Sequence, residues 1–175
     1  MKITITGTPG VGKTTVAEAL AQKIQLPLYN LSELVKEKGF FTEKDEKRGS
    51  FVVDEKKLLD FFKDKDSFIA EGLIAHYIPS NLCVVLRVNP SLISVRLKNR
   101  GYPVKKVREN QEAERLSIIV TEALELSRAK RTVLIDTTNR SVEEVVNLIL
   151  KAIEGEDIFD DVDWLENEII GNKNS

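Results

Sequence analysis

Cysteine, histidine, tryptophan and methionine each occur once in this chain of 175 residues. A lone thiol excludes a disulfide framework and argues against a thiolate metal site, as is typical of proteins that fold in a reducing compartment. The cysteine, Cys83, lies in the apolar run LCVVLRV and is predicted to be a buried strand residue.

Long apolar runs are also lacking. No stretch approaches the roughly 18 apolar residues of a membrane span, and the first residues, KITITG, predict a strand rather than a signal peptide. We therefore expect a soluble, cytoplasmic protein without a membrane partner. A length of 175 residues with 42% hydrophobic content predicts one packed domain.

What the sequence does contain is an alternation of apolar, β-rich runs with helical patterns. This alternation predicts an α/β fold in which helices cover both faces of a parallel sheet. The predicted strands are KITIT, LPLYNL, SFIAEG, LCVVLRV and TVLIDTT. Residues 37–57 and residues 100–110 interrupt the alternation, and we interpret both as insertions at the ligand-binding edge of the sheet.

The segment GTPGVGKTT lies between the first predicted strand and the first predicted helix. It fits the pattern G-x-x-x-x-G-K-[ST] at Gly7, Gly12, Lys13 and Thr14. Glycines let backbone N–H groups point at phosphate oxygens, and the helix N-terminus adds partial positive charge. Lys13 is predicted to reach the β- and γ-phosphates, and Thr14 to ligate Mg²⁺. The segment therefore predicts a nucleoside triphosphate site.

A second ligand for the metal is predicted at the end of the strand SFIAEG, where Glu71 precedes a glycine. The alternative is that Glu71 pairs with a basic side chain. His76, five residues further on, is interpreted as a surface or packing residue rather than a proton-transfer group. Phosphoryl transfer depends on positioning and charge more than on a general base.

From Arg87 to Arg108 the chain has seven basic residues and no acidic one, which predicts an anion-binding surface. Arg96 and Arg100 are four residues apart on a predicted helix, so both guanidinium groups can reach the same phosphates. The alternatives are a nucleic-acid patch or a solvated basic face. The nucleic-acid alternative is weakened because Tyr102 is the only aromatic residue nearby.

Four segments together resemble one family: GTPGVGKTT, EG-x-x-x-HYIPSN, VVLRVNP and RLKNRGYPVKKVRENQEAE. Over residues 1–153 the chain is similar to the sixth adenylate kinase isoenzyme family, which includes the coilin-interacting nuclear ATPase and its archaeal counterparts. The resemblance implies a P-loop nucleoside monophosphate kinase fold with a central five-stranded parallel sheet. It also implies a monophosphate-binding insertion at residues 28–53 and a short lid at residues 100–110, followed by an acidic tail at residues 154–175.

The same resemblance implies which residues act. Arg100 would contact ATP from the lid, and the loop after the last strand would lie against adenine. By position, the resemblance implies that ATP is bound by Gly10, Gly12, Lys13, Thr14, Thr15, Arg100, Thr138 and Asn139. The loop motif and the chemistry of the residues add Gly7 and Val11 to the ATP site, predict Lys13, Arg96 and Arg100 as the catalytic residues, and predict Thr14 and Glu71 as the metal ligands.

Two positions depart from the family pattern. Glu71-Gly72-Leu73 stands where eukaryotic members carry Asp-x-His, so the histidine given a catalytic role there has no counterpart. Lys36 stands where an arginine is expected, which keeps the charge but loses bidentate phosphate geometry. We therefore expect weak monophosphate kinase turnover.

Residues and resemblance together favour transfer of the γ-phosphoryl group of ATP to AMP or a related nucleoside monophosphate. Mg²⁺ would be the metal, and ATP hydrolysis would be slow when water is the acceptor. The family is associated with small ribosomal subunit maturation, which implies a basic platform ribosomal protein and pre-ribosomal particles as partners. The alternatives are a ribosome-assembly ATPase with incidental kinase activity and a small-metabolite kinase. A GTPase is disfavoured because the only Asn-Lys pair, Asn172-Lys173, lacks the aspartate of N-K-x-D.

The acidic tail interleaves carboxylates with apolar residues. One interpretation is a helix that packs Phe159, Val162 and Leu165 or Ile169 onto the body of the protein. The other is a docking segment, in which the acids and a Trp164 anchor hold the basic ribosomal protein.

Overall fold

The structure is a computed structural model that describes residues 1–45 and 50–165. Its strands are β1 (Lys2–Thr6), β2 (Leu28–Asn30), β3 (Phe41–Asp45), β4 (Ser50–Val53), β5 (Phe68–Glu71), β6 (Ser80–Arg87) and β7 (Ala129–Asp136). Five of them form a parallel sheet in the order β2-β5-β1-β6-β7, as predicted, while β3 and β4 form a separate antiparallel hairpin.

Helices alternate with these strands along the chain. Within the described residues they are α1 (Lys13–Ile24), α2 (Leu31–Lys38), α3 (Glu55–Lys63), α4 (Pro90–Asn99), α5 (Val104–Arg115), α6 (Ile118–Leu126) and α7 (Val142–Glu154), with a 3₁₀ turn at Ala75–Tyr77. None of the helices in this part of the chain is long and apolar enough to cross a membrane.

The central strands β1, β5 and β6 are buried along most of their length because helices cover both faces of the sheet. On one face α1 and α7 pack against buried residues such as Ile3 and Ile5 of β1. On the other face α6 packs against a smaller buried cluster that contains Cys83. Cys83 is fully buried in β6, which confirms the predicted strand thiol.

The two interruptions of the pattern have regular structure. The first, residues 37–57, contains the β3–β4 hairpin and the start of α3. The second, residues 100–110, passes through a short turn into α5, so most of the expected lid is helical. Because β2 belongs to the central sheet, the segment that leaves the sheet begins with α2.

Residues 158–160 of the tail run beside β7, and residues 156–163 do not form the predicted helix. The Leu134 N–H donates to the Ile158 carbonyl oxygen at 3.1 Å, and the Asp160 N–H donates to the Leu134 carbonyl oxygen at 3.0 Å. These bonds satisfy backbone groups of an edge strand, which would otherwise face solvent unpaired. The helix prediction is therefore wrong for residues 156–163.

The tail residues that are buried also differ from those that were predicted to be buried. Phe159 is 55% exposed and Leu165 is 38% exposed, whereas Trp164 is only 6% exposed. Val162 is half-buried, and the remaining predicted packing position, Ile169, lies outside the described residues. The buried Trp164 is not free to anchor a partner, so that part of the docking interpretation is wrong.

Candidate active site

The phosphate loop joins β1 to α1 at the carboxyl edge of the sheet. A Cβ atom on Gly7 would lie 2.5 Å from the Leu86 carbonyl oxygen, so only glycine fits there. Gly12 precedes α1 with a φ of 101°, and no side chain caps the helix. The first N–H groups of α1 therefore remain available to an anion. The predicted strand–loop–helix context is confirmed.

The Lys13 side chain extends back over the phosphate loop. Its Nζ atom donates to the carbonyl oxygens of Gly7 at 2.8 Å and Thr8 at 3.2 Å. Burial of the ammonium lowers the pKa of Lys13 to about 8, although the charges of Glu71 and Glu114 act in the opposite direction. A phosphate placed here would restore the favourable environment of the charged form.

Thr14 and Glu71, the two predicted metal ligands, are in contact. The Thr14 hydroxyl donates to Glu71 Oε1 at 3.0 Å, and the Asn30 side-chain amide donates to the same oxygen. Glu71 is 2% exposed. A hydroxyl and a carboxylate beside the phosphate loop suit Mg²⁺, which binds few protein ligands and takes phosphate and water oxygens for the rest. Among the described residues, no group of three or more histidine, cysteine or acidic side chains could hold a metal.

Two cavities flank the phosphate loop. The larger cavity, about 320 Å³, lies between the loop and the residues after β7. Apart from the loop, its walls include three arginines and three valines: Arg96, Arg100, Arg140, Val16, Val142 and Val145. An apolar wall with flanking guanidinium groups suits a planar aromatic base attached to phosphates.

The smaller cavity, about 190 Å³, lies on the other side of Lys13 and Thr14. Its walls include mainly polar residues from other parts of the chain: Asn30, Ser32, Glu71, Arg100 and Tyr102. Gly10, Gly12, Thr15 and Arg100 line both cavities. Two ligands in these cavities would therefore meet at the phosphate loop, beside Arg100.

Arg96 and Arg100 lie together, as their spacing predicts. Both line the larger cavity, and Arg96 Nη1 also donates to the Gly10 carbonyl oxygen at 2.9 Å. Lys36, which stands where an arginine was expected, is exposed on α2. The residues lining the smaller cavity do not include it.

Arg87 does not belong to the predicted anion-binding surface, and that expectation is wrong for this residue. It is 2% exposed, and its Nε donates to Glu114 Oε1 at 2.7 Å. The other carboxylate oxygen of Glu114 accepts from the Thr8 hydroxyl at 2.6 Å. The Trp164 ring lies 5.9 Å from the Arg87 guanidinium. Arg87 therefore neutralises a carboxylate that supports the phosphate loop.

Sequence reasoning missed this network because its members are far apart in the chain. Glu114 ends the segment RENQEAE, which carries part of the family resemblance, and that was the one available signal. A buried Arg–Glu pair is expected to be retained intact, since either charge alone is costly in the interior.

The loop after β7 contributes different residues from those implied. The Thr138 hydroxyl donates to the Asp136 side chain and accepts from the Asn89 N–H. Thr137 and Arg140, rather than Thr138 and Asn139, line the larger cavity. Contact of Thr138 and Asn139 with adenine stays a prediction.

His76 is fully buried, which confirms packing over a surface position. Its Nδ1 lies 3.3 Å from the Thr6 hydroxyl. Burial lowers the pKa of His76, so the ring is neutral at physiological pH.

Comparison with known proteins agrees with this architecture. A family model described as "AAA domain" matches residues 3–117. The chain is 41% identical over 171 residues to the "Putative adenylate kinase" of Methanocaldococcus jannaschii, covering 95% of this chain and 94% of that protein. It is also 41% identical over 157 residues to the protein of the same name from Pyrococcus furiosus, covering 87% of this chain and 84% of that protein.

Two of the similar solved structures are named as kinases. Deoxyadenosine kinase from M. mycoides matches with a TM-score of 0.62 at 17% identity, covering 89% of this chain and 100% of that chain. Shikimate kinase from Acinetobacter baumannii matches with a TM-score of 0.61 at 20% identity, covering 87% of this chain and 92% of that one. At such identities these similarities show the fold alone. The sequence relatives go further, and the chain belongs to the P-loop family of the archaeal proteins named "Putative adenylate kinase".

Proposed function

We propose that this protein is a nucleoside monophosphate kinase, which transfers the γ-phosphoryl group of ATP to AMP or a related nucleoside monophosphate. The observation that carries the proposal is the pair of cavities that meet at the phosphate loop and share Arg100. A phosphotransferase needs donor and acceptor sites that converge on the transferred group. The names of the archaeal relatives support adenylate as the substrate class.

In this proposal the larger cavity takes the donor. The base of ATP would lie against Val142 and Val145, and its phosphates would follow the loop N–H groups toward Lys13. Lys13, Arg96 and Arg100 would stabilise the charge that develops on the transferred phosphoryl oxygens. Arg100 lines both cavities, Arg96 lines the larger one and Lys13 lines the smaller one, which supports these catalytic roles.

The smaller cavity takes the acceptor. Asn30, Ser32 and Tyr102 offer hydrogen-bonding groups near the phosphate loop, where the monophosphate would be held in line with the donor. The segment that leaves the sheet at α2 would form the outer wall of this cavity, to which it contributes Ser32. The lid at residues 100–110 would exclude water while both substrates are bound.

Mg²⁺ would be held by the Thr14 hydroxyl and the Glu71 carboxylate. When bound, it neutralises charge on the donor phosphates. The protein's own part is to orient the Glu71 carboxylate, which the hydrogen bonds from Thr14 and Asn30 support.

The test is a coupled assay with ATP and Mg²⁺, in which AMP, CMP, dAMP or no acceptor is added. We expect product formation that depends on AMP, with slow hydrolysis when the acceptor is omitted. Dependence on shikimate, or no dependence on any nucleoside monophosphate, would overturn the proposal. Acceptor-independent hydrolysis that a basic ribosomal protein stimulates would favour the assembly ATPase instead.

A second measurement concerns both cavities at once. A bisubstrate analogue with two adenosines joined by five phosphates should bind more tightly than ATP, because it spans both sites. The smaller cavity is not the acceptor site if this analogue binds no more tightly than ATP.

A further inference from the structure

One carboxylate of the tail, that of Asp160, contacts an arginine that lines the larger cavity. Asp160 accepts a hydrogen bond from the Asp136 N–H at 3.0 Å, and it forms an ion pair with Arg140. Arg140 in turn lines the larger cavity. The tail is hydrogen-bonded to both the N–H and the carbonyl oxygen of Leu134 in β7, so backbone pairing fixes where the Asp160 carboxylate lies.

Arg140 is held from two directions. Its Nη1 donates to the Asp136 carbonyl oxygen at 2.9 Å as well as to Asp160. Burial acts to raise the pKa of Asp160, but hydrogen bonds from Arg140 and the Asp136 N–H outweigh it, so the pKa lies below its ordinary value. The carboxylate is therefore charged at neutral pH.

An arginine held in this way differs from a free one. A free guanidinium beside a triphosphate site would turn toward the phosphates, because opposite charges attract. Asp160 neutralises Arg140 and occupies donors that would otherwise serve phosphate oxygens. The planar face of the guanidinium remains able to stack on an aromatic ring.

We propose that Asp160 is a positioning residue for nucleotide recognition, which holds Arg140 against the base of the donor nucleotide in the larger cavity. This inference rests on the proposed function, since it requires that cavity to take a nucleotide. It makes the tail part of the nucleotide site and assigns Arg140 to recognition of the base rather than the phosphates.

The inference separates binding of the nucleoside from binding of the phosphates. We would measure by calorimetry the Kd of ATP and of inorganic tripolyphosphate for the full chain. The Kd of tripolyphosphate divided by the Kd of ATP reports how much the nucleoside contributes to binding. Asp160→Asn should reduce that ratio by roughly tenfold, equivalent to about 1.4 kcal/mol. It should not weaken tripolyphosphate binding, because the freed Arg140 guanidinium can turn toward the phosphates.

Asp161→Asn is the matched control, because it removes the same charge from the next residue, whose side chain is exposed. It should leave the ratio unchanged. A ratio that survives Asp160→Asn would overturn the inference, as would an equal loss in both variants, which would indicate a general charge effect. Asp160→Glu should restore much of the ratio, since it keeps the carboxylate, and it serves if the asparagine variant folds poorly.

A double-mutant cycle tests the route through Arg140. Arg140→Ala should lower the ratio at least as much as Asp160→Asn, and the double variant should be no worse than Arg140→Ala alone. Additive losses would show that Asp160 acts independently of Arg140. A wild-type protein that binds ATP no better than tripolyphosphate would overturn the proposed function itself, which is a separate outcome.

Discussion

Lys13 and Arg87 are basic side chains at the same edge of the sheet, and they have opposite kinds of partner. Arg87 is buried against the Glu114 carboxylate, which cancels its charge. Lys13 donates to two carbonyl oxygens of the phosphate loop. Thr8 lies between the two, with its carbonyl oxygen on Lys13 and its hydroxyl on Glu114.

Two carboxylates repeat the contrast. Glu71 and Glu114 are both 2% exposed. Glu114 is bonded to a cation, whereas Glu71 accepts hydrogen bonds from the neutral side chains of Thr14 and Asn30. A charge that is already paired supports the fold, and a charge held by neutral groups remains able to bind a ligand of opposite sign. By this difference, Glu114 has a structural role, and Glu71 belongs to the candidate active site.

The sharpest test of this comparison is Lys13→Ala. We expect kcat to fall by at least about 10³-fold for both transfer and hydrolysis, because the same cation stabilises the transferred group whichever oxygen attacks. The melting temperature should fall much less than in Arg87→Ala, since Lys13 hydrogen-bonds to carbonyl oxygens of the loop while Glu114 keeps its bond to Arg87. Lys23→Ala, on the exposed side of α1, is the control and should keep full activity. Activity near wild type in Lys13→Ala would place the site elsewhere.

Arg87→Ala should act on stability instead. Removing the cation leaves Glu114 buried without its partner, which costs about 3–5 kcal/mol. The measurement is the free energy of unfolding in urea. The double variant Arg87→Met with Glu114→Gln should recover part of the loss, because no buried charge remains unpaired. A loss below about 1 kcal/mol, the range of exposed pairs, would contradict the structural role of Arg87.

Arg100→Ala extends the comparison to a third cation, one that lines both cavities. We expect kcat to fall by about 10²-fold with a smaller change in the KM for ATP, because the side chain acts mainly in the transition state. Arg108→Ala, an exposed arginine on α5, is the matched control. A raised KM with unchanged kcat would reduce Arg100 to a contact with bound substrate.

Glu71→Gln tests the carboxylate held by neutral groups. The amide keeps the shape but not the charge, so the Mg²⁺ concentration for half-maximal activity should rise by about tenfold while the fold stays intact. The measurement is a Mg²⁺ titration of the coupled assay, with thermal unfolding alongside. An unaltered Mg²⁺ dependence would make Glu71 a structural residue like Glu114.

The smallest expected effect is a proton taken up by Lys13. Its pKa of about 8 in the free protein should rise when phosphates arrive, so the bound state holds more protons. Nucleotide affinity should therefore weaken as the pH rises through 8. ATP binding should therefore take up more of a proton at pH 8.5 than at pH 7.5. Calorimetry in buffers of different ionisation enthalpy measures this uptake, and equal values at the two pH values would contradict it.

Local patterns predicted much of the fold and part of the site. The five strands of the sheet, the phosphate loop and the convergence of Arg96 with Arg100 are confirmed. Each depends on residues only a few positions apart, where strand alternation, helix periodicity or a loop motif constrains the geometry. The contact between Thr14 and Glu71 was also predictable, because parallel strands end at one edge of the sheet.

The errors involve pairs that no local pattern specifies. Arg87 was assigned to a basic surface because the nearby sequence holds only basic residues, while its partner Glu114 lies 27 positions away. The tail was expected to be helical from its spacing of apolar residues. In the structure the backbone of the tail forms hydrogen bonds with the edge strand β7 instead of the hydrogen bonds of a helix.

By itself, the sequence determined the kind of sheet, the position of the phosphate loop and the charges around it, because these follow from spacing along the chain. Only the tertiary structure decided which charges are neutralised. Arg87 is paired with the buried Glu114 carboxylate, whereas Lys13 donates to carbonyl oxygens of the phosphate loop. In the tail, Asp160 forms an ion pair with Arg140. The physical reason is that a charge's role depends on its nearest partner in space, and folding alone chooses that partner.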